Sequence, residues 1–260
     1  MTTPDIDSND ISYSGPAGDV NAYLARPAGD GPYPALLVIH EVFGLTPWVR
    51  DTTDRLAREG YVCLAPDLYT RDDVRKTLTI DDIERALEVM HSGDAEGALA
   101  AIPETERAEV QASMGWVQSA FTATTYVPDL VEGLNVLRGR DDVAKVGSIG
   151  WCMGGGVNGR LLASGADLDA GVIWYGPPPP FDQVGNIRCP VQGHYGGADA
   201  LTEALPGIEK AFADAGRPFE SFVYEGAGHA FGNDHRPSYD AAATALAWER
   251  TLAFFDRLLK

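Results

Sequence analysis

Short runs of apolar residues, each bounded by turn residues, recur along the chain and alternate with segments of helical spacing. Such a run is typical of a strand buried on both faces of a parallel sheet, because a strand with one solvated face alternates apolar and polar residues. Strands that alternate with helices are joined by right-handed crossovers. We therefore expect an α/β protein with a doubly wound, mostly parallel sheet and helices on both faces. The apolar runs lie at 35–39 and 61–65, and further predicted strands lie at 143–149, 171–174, 190–195 and 219–224.

Two further patterns complete the predicted organisation. Weak alternation around the Gly-Pro-Ala-Gly turn at 15–18 predicts an N-terminal β-hairpin at an antiparallel edge. The segment 72–126 is acidic, has helical spacing and carries no strand signal, which favours a helical insertion or cap. Since no linker or internal repeat interrupts the chain, we expect residues 1–260 to form a single domain.

The charge balance excludes two classes of partner. Asp and Glu number 38 and Lys and Arg number 20, which gives a formal net charge of -18. The resulting field repels nucleic-acid phosphates and anionic lipid, so we expect neither nucleic acid nor a membrane surface as a partner. Lysine is scarce among the cations, a skew that resembles the surfaces of salt-adapted proteins.

Cysteine usage and the apolar runs bear on the compartment. Cys63, Cys152 and Cys189 are an odd number in a long chain, which argues against a disulfide framework and favours a reducing environment. The opening MTTPDIDSND has no basic region followed by an apolar stretch, and the longest aliphatic run, 35–39, is too short to span a bilayer. We expect a cytoplasmic protein.

The strand at 143–149 leads directly into Gly-Trp-Cys-Met-Gly at 150–154. A strand, then Gly-x-Cys-x-Gly, then a helix is the order of a nucleophile elbow with cysteine in place of serine. The glycines are required because neighbouring backbone passes them without room for a Cβ atom. The helix N-terminus favours the reactive thiolate at Cys152. The alternative is a buried structural cysteine beside glycines that pack a helix.

Asp199 and His229 each follow a predicted strand. The carboxyl ends of parallel strands meet at the edge where open α/β sheets have their sites. Nucleophile, acid and histidine then occur in the chain order of α/β-hydrolases. In such a triad His229 accepts the thiol proton and later activates water, while Asp199 fixes the imidazole tautomer and stabilises its charged form.

Two aromatic residues and one histidine–glutamate pair are the remaining candidates for a site. Trp174 and Tyr175 end a predicted strand at the same edge and are candidates to line a pocket. His40 and Glu41 lack a third ligand at suitable spacing, so we expect no metal. The proposed chemistry needs no cofactor.

These motifs together resemble the dienelactone hydrolase family of cysteine-dependent α/β-hydrolases. The resemblance is carried by Gly-Trp-Cys-Met-Gly at 150–154, by Asp199 and by Gly-His at 228–229. It extends to His-Glu-Val-Phe-Gly at 40–44 and Pro-Asp-Leu-Tyr-Thr-Arg at 66–71. The fold it implies is the α/β-hydrolase fold.

The resemblance also implies roles for residues near the nucleophile. Glu41 would lie beside Cys152 and help to convert the thiol to thiolate when substrate arrives. The backbone N–H groups of Val42 and Met153 would form the oxyanion hole, an arrangement that the chemistry also requires because a tetrahedral oxyanion needs two preorganised donors. Arg71 would bind substrate.

One position departs from the family pattern. Dienelactone hydrolases hold the substrate carboxylate with a second arginine four residues after the catalytic histidine. Here that position is Asn233, and Arg236 follows three residues later. Either Arg236 contacts the substrate or the pocket accepts a less anionic one, because an unpaired carboxylate in a tight pocket costs binding free energy through desolvation.

We therefore expect a hydrolase that cleaves small carboxylic esters or lactones through a thioacyl-enzyme. One alternative is a broader carboxylesterase or thioesterase with the same residues and a pocket reshaped by 72–126. The alternative from another class is a non-catalytic binding or redox-sensing protein in which Cys152 is an oxidisable thiol. The sequence predicts no oligomeric state.

Overall fold

The computed structural model describes residues 4–260 of the chain. Residues 1–3 lie outside the described residues. They belong to the opening segment from which the sequence analysis predicts a cytoplasmic protein. The chain forms two compact units, one comprising 4–68 with 125–260 and the other 69–124. All the strands within residues 4–260 belong to the first unit.

The first unit is built on one eight-stranded sheet in the spatial order β1-β2-β4-β3-β5-β6-β7-β8. β1, β2 and β4 are antiparallel neighbours, and every later neighbouring pair is parallel. The prediction of a mostly parallel sheet with an antiparallel hairpin at one edge is confirmed. The strands are β1 (Ile6–Gly15), β2 (Gly18–Pro27), β3 (Tyr33–Ile39), β4 (Val62–Pro66), β5 (Val143–Trp151), β6 (Ala170–Trp174), β7 (Val191–Gly196) and β8 (Phe219–Tyr224).

The helices are divided between the two units. In chain order they are α1 (Pro47–Arg58), α2 (Ile80–His91), α3 (Ala95–Ala101), α4 (Glu104–Thr122), α5 (Tyr126–Arg138), α6 (Met153–Ala163), α7 (Leu205–Asp214) and α8 (Ala241–Leu259). The first unit contains α1 and α5 to α8, and the second contains α2 to α4.

Two adjacent residues of β3 show that helices cover both faces of the sheet. The Leu36 side chain packs over Gly147 of β5 together with Phe255 of α8, whereas the Leu37 side chain packs against Gly133 of α5. Consecutive side chains of a strand point to opposite faces. α8 and α5 therefore lie on opposite faces, as the sequence predicts.

Burial of the central strands supplies most of the stabilisation. β4 and β6 are buried along their whole length, and six of the seven residues of β3 are buried. Full burial of one large aliphatic or aromatic side chain contributes roughly 1.5–3 kcal/mol. The rings of Trp48, Trp151 and Trp174 follow one another through this core, with centroids 5.6 and 6.2 Å apart.

A buried histidine in β7 is neutral and fully hydrogen-bonded. His194 Nδ1 lies 2.8 Å from the Tyr224 hydroxyl, and Nε2 lies 2.9 Å from Gln192 Oε1 and 3.0 Å from Thr251 Oγ1. Burial, with a smaller contribution from Arg250, lowers the pKa of His194 to about 3. The imidazole therefore stays uncharged and joins β7 to β8 and α8.

The structure differs from the sequence prediction at three elements. α6 begins at Met153, directly after Cys152, whereas the order of strand, Gly-x-Cys-x-Gly and helix predicts a helix only after Gly154. The hairpin strands are longer than the alternation suggests. α7 was not predicted: it is short, with Pro206 in its first turn, and its buried face consists of Leu205, Ile208 and Phe212.

The second unit is helical, as predicted for 72–126. α2 begins with a capping box in which Thr79 and Asp82 bond each other's backbone N–H groups. The Trp116 indole N–H donates to Asp72 Oδ2 at 2.8 Å, and its ring lies 5.2 Å from that of Tyr69. The cap role and the single-domain assignment stay predictions. No helix within residues 4–260 is both long enough and apolar enough to cross a membrane.

The excess of carboxylates predicts a salt-dependent stability. Raising NaCl from about 0.01 M to about 0.15 M shortens the Debye length from about 30 Å to about 8 Å and screens repulsion among like charges. We expect the thermal unfolding midpoint to rise by about 2–4 °C for each kcal/mol of repulsion relieved. A further step from about 0.15 M to about 0.5 M is the control, since most screening is then complete. A midpoint that falls or stays constant over the first step would contradict this prediction.

Candidate active site

Cys152 occupies a strained turn between β5 and α6. Its backbone has φ 53° and ψ -121°, a conformation that L residues rarely adopt. The Cys152 N–H donates to the Trp174 carbonyl at 3.0 Å, which ties the turn to the end of β6. The predicted elbow geometry is therefore present, with α6 starting at the next residue.

The flanking glycines are required by contacts between backbone segments. A Cβ atom on Gly150 would lie 2.2 Å from the carbonyl oxygen of Gly154. A Cβ atom on Gly154 would lie 2.4 Å from the carbonyl oxygens of both Ile39 and His40. The first turn of α6 is thus pressed against the end of β3, where the segment 40–44 begins.

The structure brings Cys152, His229 and Asp199 together. His229 Nε2 lies 3.1 Å from Cys152 Sγ, and His229 Nδ1 lies 2.7 Å from Asp199 Oδ2. Asp199 Oδ1 accepts from the Leu201 N–H at 3.0 Å, which holds the carboxylate in place. Because the carboxylate accepts from Nδ1–H, Nε2 faces the thiol as the proton acceptor.

The protonation of His229 reflects its two neighbours. Burial lowers the pKa of His229, but the Cys152 sulfur and the Asp199 carboxylate together outweigh burial and raise the pKa above its ordinary value. The charged imidazolium is therefore favoured when the thiol is deprotonated.

Glu41 is buried next to this group, with only 3% of its surface exposed. Its Oε2 accepts from Asn233 Nδ2 at 2.6 Å. Burial raises the pKa of Glu41, while Asn233, Arg236 and His229, in that order, act to lower it.

The backbone around Glu41 is fixed by the preceding histidine. His40 Nε2 accepts from the Leu68 N–H at 3.1 Å, and His40 Nδ1 lies 2.6 Å from the Glu41 carbonyl oxygen. An N–H donor at Nε2 and a carbonyl acceptor at Nδ1 require the neutral Nδ1–H tautomer. Within residues 4–260 no group of three or more His, Cys, Asp or Glu side chains could hold a metal ion.

The predicted oxyanion donors lie on the two segments that meet at Gly154. Met153 is the first residue of α6, and Val42 is fully buried directly after Glu41. Their segments follow β5 and β3, which are parallel neighbours. The oxyanion role of both residues stays a prediction.

The predicted substrate-binding residues have different surroundings. The Arg236 guanidinium stacks 3.7 Å from the centroid of the Phe43 ring, and burial lowers the pKa of Arg236 while Glu41 raises it. Arg71 is exposed and belongs to the second unit. Their binding roles stay predictions.

The two aromatic candidates are both buried. Tyr175 has φ 38°, and its ring centroid lies 5.3 Å from that of His229. Trp174 is 1% exposed and its indole N–H donates to Thr251 Oγ1 at 3.2 Å. A pocket-lining role stays a prediction for both, with Tyr175 the closer to the histidine.

Sequence reasoning noticed Asn233 only as a missing arginine and did not identify it as the partner of Glu41. The two residues are 192 positions apart. A single sequence carries no local signal for such a pair, because both lie in loops whose meeting depends on the fold.

Comparisons with known proteins identify a family that this chain matches over most of its length. Residues 20–259 match the model of the family described as "Dienelactone hydrolase family". A provisionally named carboxymethylenebutenolidase of Saccharolobus solfataricus is 32% identical and covers 96% of this chain and 99% of its own. A relative of the same name from Escherichia coli (strain K12) is 32% identical over 99% of this chain and 90% of its own.

Solved structures show the same fold. The crystal structure of a provisionally named dienelactone hydrolase from Klebsiella pneumoniae is 29% identical, covers 97% of this chain and 99% of its own, and has a TM-score of 0.72. A bacterial brefeldin A esterase, at 13% identity, covers 96% of this chain and 76% of its own with a TM-score of 0.67. That second likeness concerns the α/β-hydrolase fold alone.

Replacing Gly154 with alanine tests the packing at the elbow. We expect Gly154→Ala to lower the free energy of unfolding by about 1–3 kcal/mol or more, because the new methyl group meets backbone oxygens that cannot rotate away. Gly115→Ala in α4 is the control, since a Cβ atom there meets nothing within 4 Å and alanine favours a helix interior. Urea unfolding followed by circular dichroism measures both. An unchanged stability of Gly154→Ala would show that the contact is not rigid.

Proposed function

Since this chain belongs to the dienelactone hydrolase family, we propose that it hydrolyses carboxylic esters or lactones with Cys152 as nucleophile. His229 acts as general base and acid, and Asp199 orients it. The reaction passes through a thioacyl-enzyme. The observation that carries the proposal is the unbroken chain of contacts from Cys152 Sγ through both ring nitrogens of His229 to Asp199.

The first half-reaction forms the thioester. The Cys152 thiol proton passes to His229 Nε2, and the sulfur attacks the carbonyl carbon of the substrate. The tetrahedral oxyanion collapses as the carbon–oxygen bond to the alcohol breaks, and His229 returns the proton to the leaving oxygen. In a lactone the alcohol stays attached to the acyl group.

The second half-reaction releases the acid. His229 Nε2 takes a proton from a water molecule, whose oxygen attacks the thioester carbon. Collapse of the second tetrahedral intermediate breaks the carbon–sulfur bond, and the proton on His229 neutralises the departing thiolate. The enzyme is then restored to the free thiol, and the product is a carboxylic acid.

The surrounding residues stabilise charge in each step. The N–H groups of Met153 and Val42 are proposed to donate to the oxyanion, the first of them from the N-terminus of α6 where the helix dipole favours negative charge. Glu41 is proposed to stabilise the positive charge on His229. Its electrostatic coupling to His229 supports this role.

Substrate recognition is proposed to involve arginine. Arg236 is coupled electrostatically to Glu41 and stacks on Phe43, one residue after the proposed donor Val42. Arg71 is retained as a second proposed anion-binding residue on the strength of the family resemblance. A binding arginine would favour esters that carry a carboxylate.

Removing the thiol tests the nucleophile. We expect Cys152→Ala to lower kcat for 4-nitrophenyl acetate by at least about a thousandfold with an unchanged circular dichroism spectrum, because no other group can form the acyl-enzyme. Cys189→Ala, which removes another buried thiol, should retain activity. Mass spectrometry during the initial burst of 4-nitrophenol release should find the acetyl group on the unaltered protein and on Cys189→Ala, and not on Cys152→Ala. Substantial hydrolysis by Cys152→Ala would overturn the proposal.

Replacing each arginine tests the substrate class. Arg236→Gln and Arg71→Gln are each expected to lower kcat/KM for the mono-4-nitrophenyl ester of succinate by about tenfold to a hundredfold, since a hydrogen bond to a charged group contributes about 1.5–3 kcal/mol. The neutral 4-nitrophenyl butyrate should be affected far less. Arg55→Gln is the matched control, because Arg55 also stacks on an aromatic ring, that of Trp248. Equal losses on both esters would assign the arginine a structural role.

A further inference from the structure

Asn233 joins the loop that carries His229 to the segment that carries Glu41. It is 2% exposed, and both ends of its side-chain amide are bonded. Nδ2 donates to Glu41 Oε2 at 2.6 Å, and Oδ1 accepts from the His235 N–H at 2.9 Å. The amide therefore joins the two segments by a direct hydrogen bond, beside the stacking of Arg236 on Phe43.

The backbone of its own loop dictates which way the amide points. A backbone N–H can only donate, so the atom of Asn233 that faces His235 must be the oxygen. The atom that faces Glu41 is then the NH₂ group, which can only donate. Glu41 Oε2 consequently acts as an acceptor in every protonation state of the carboxyl group.

The second oxygen of Glu41 has a different environment. Oε1 is buried and makes no hydrogen bond of ordinary geometry to any residue in the range 4–260. The Tyr175 hydroxyl also lacks such a bond, but it faces Glu41 closely enough to act on the pKa of that carboxyl group, and it is electrostatically coupled to Cys152. Since Oε2 accepts from Asn233, Oε1 is the oxygen of Glu41 left to hold a proton.

We infer that Asn233 is a positioning residue that gives the two oxygens of Glu41 different roles. It occupies Oε2 and leaves Oε1 as the atom that holds or releases a proton next to the reacting groups. The inference rests on the proposed function, in which Glu41 acts on the Cys152–His229 pair. It identifies this chain's substitute for the arginine that the family pattern has at this position. A neutral amide fixes the carboxyl group without supplying a positive charge.

The groups that face Glu41 determine the sign of the effect. Burial favours the neutral form of Glu41, whereas Arg236, His229 and the Tyr175 hydroxyl favour its charged form. The Asn233 hydrogen bond lowers the pKa of Glu41 because it stabilises the carboxylate. Loss of this donor must therefore raise the pKa of Glu41, so that Glu41 becomes ionised at a higher pH.

The backbone role of Asn233 can be separated from the role of its side chain. Its N–H donates to the Ala230 carbonyl and its carbonyl accepts from the Arg236 N–H, both at 3.0 Å. These bonds shape the turn and do not depend on the side chain. Asn233→Leu keeps the volume and removes the donor. Asn233→Asp keeps the shape and the acceptor for His235 but replaces the NH₂ group with oxygen.

The test is a carboxyl titration of the substrate-free protein labelled with ¹³C-glutamate. The resonance that disappears in Glu41→Gln belongs to Glu41. We expect its midpoint to rise by about one pH unit or more, a tenfold change in the acid dissociation constant, in Asn233→Leu and in Asn233→Asp. Asn135→Leu is the matched control, because Asn135 Nδ2 donates to Glu132 Oε2 at 3.1 Å on the exposed face of α5. It should leave the Glu41 midpoint unchanged.

A double-mutant cycle in kcat/KM for a neutral ester supplies the second measurement. Asn233→Leu should lower kcat/KM about tenfold in the natural background and move the acid limb of its pH profile upward. In the Glu41→Gln background the same substitution should change kcat/KM by less than about twofold. The inference would be overturned if the titration midpoint of Glu41 is unchanged in both Asn233 variants, or if Asn233→Leu lowers kcat/KM equally in both backgrounds.

The two proposals fail in different ways. The titration uses no substrate, so it reports on Asn233 and Glu41 even if Cys152→Ala keeps its activity and the proposed nucleophile is wrong. A dead Cys152→Ala together with an unmoved Glu41 midpoint would overturn the positioning role alone.

Discussion

Contact between two backbone segments at Gly154 is the constraint on which the rest of the site depends. No side chain fits between the first turn of α6 and the carbonyl groups of Ile39 and His40. The end of β3 therefore lies directly against the turn at Cys152, and the segment that begins with Glu41 is brought to the nucleophile. The positive φ of Cys152 costs roughly 1–3 kcal/mol. The surrounding sheet and helix supply that free energy.

Around this contact the site holds several ionisable groups out of water. Glu41 carries a potential negative charge, whereas Arg236 and His229 carry positive ones, and each is at least partly buried. In a medium of low dielectric constant an isolated charge is costly, while neighbouring opposite charges interact strongly. A change of protonation on one group therefore changes the electrostatic free energy of the others. This coupling is well suited to a reaction in which charge moves between sulfur, imidazole and the substrate oxygen.

A network of hydrogen bonds runs through the aromatic core behind the site. Trp174 donates to Thr251, which lies within hydrogen-bond distance of His194, and the Tyr175 N–H donates to the His194 carbonyl at 2.7 Å. Buried polar groups that are fully bonded hold one arrangement, because any alternative leaves a donor or acceptor unpaired. The network thereby ties α8 to the ends of β6 and β7. Tyr175, adjacent to His229, is held at a positive φ by these same neighbours.

The sequence by itself determined the features that depend on local pattern. Continuous apolar runs give the buried parallel strands, and the glycines of 150–154 give the elbow. Chain order places Cys152, Asp199 and His229 after β5, β7 and β8, whose carboxyl ends lie at one edge of the sheet. Tertiary structure alone decided which loop residues meet: the pairing of Asn233 with Glu41 and the stacking of Arg236 on Phe43 join distant segments. Periodicity in the sequence indicates on which face of its strand or helix a residue lies. A contact between loops depends instead on where the whole sheet positions the ends of the strands that carry those loops.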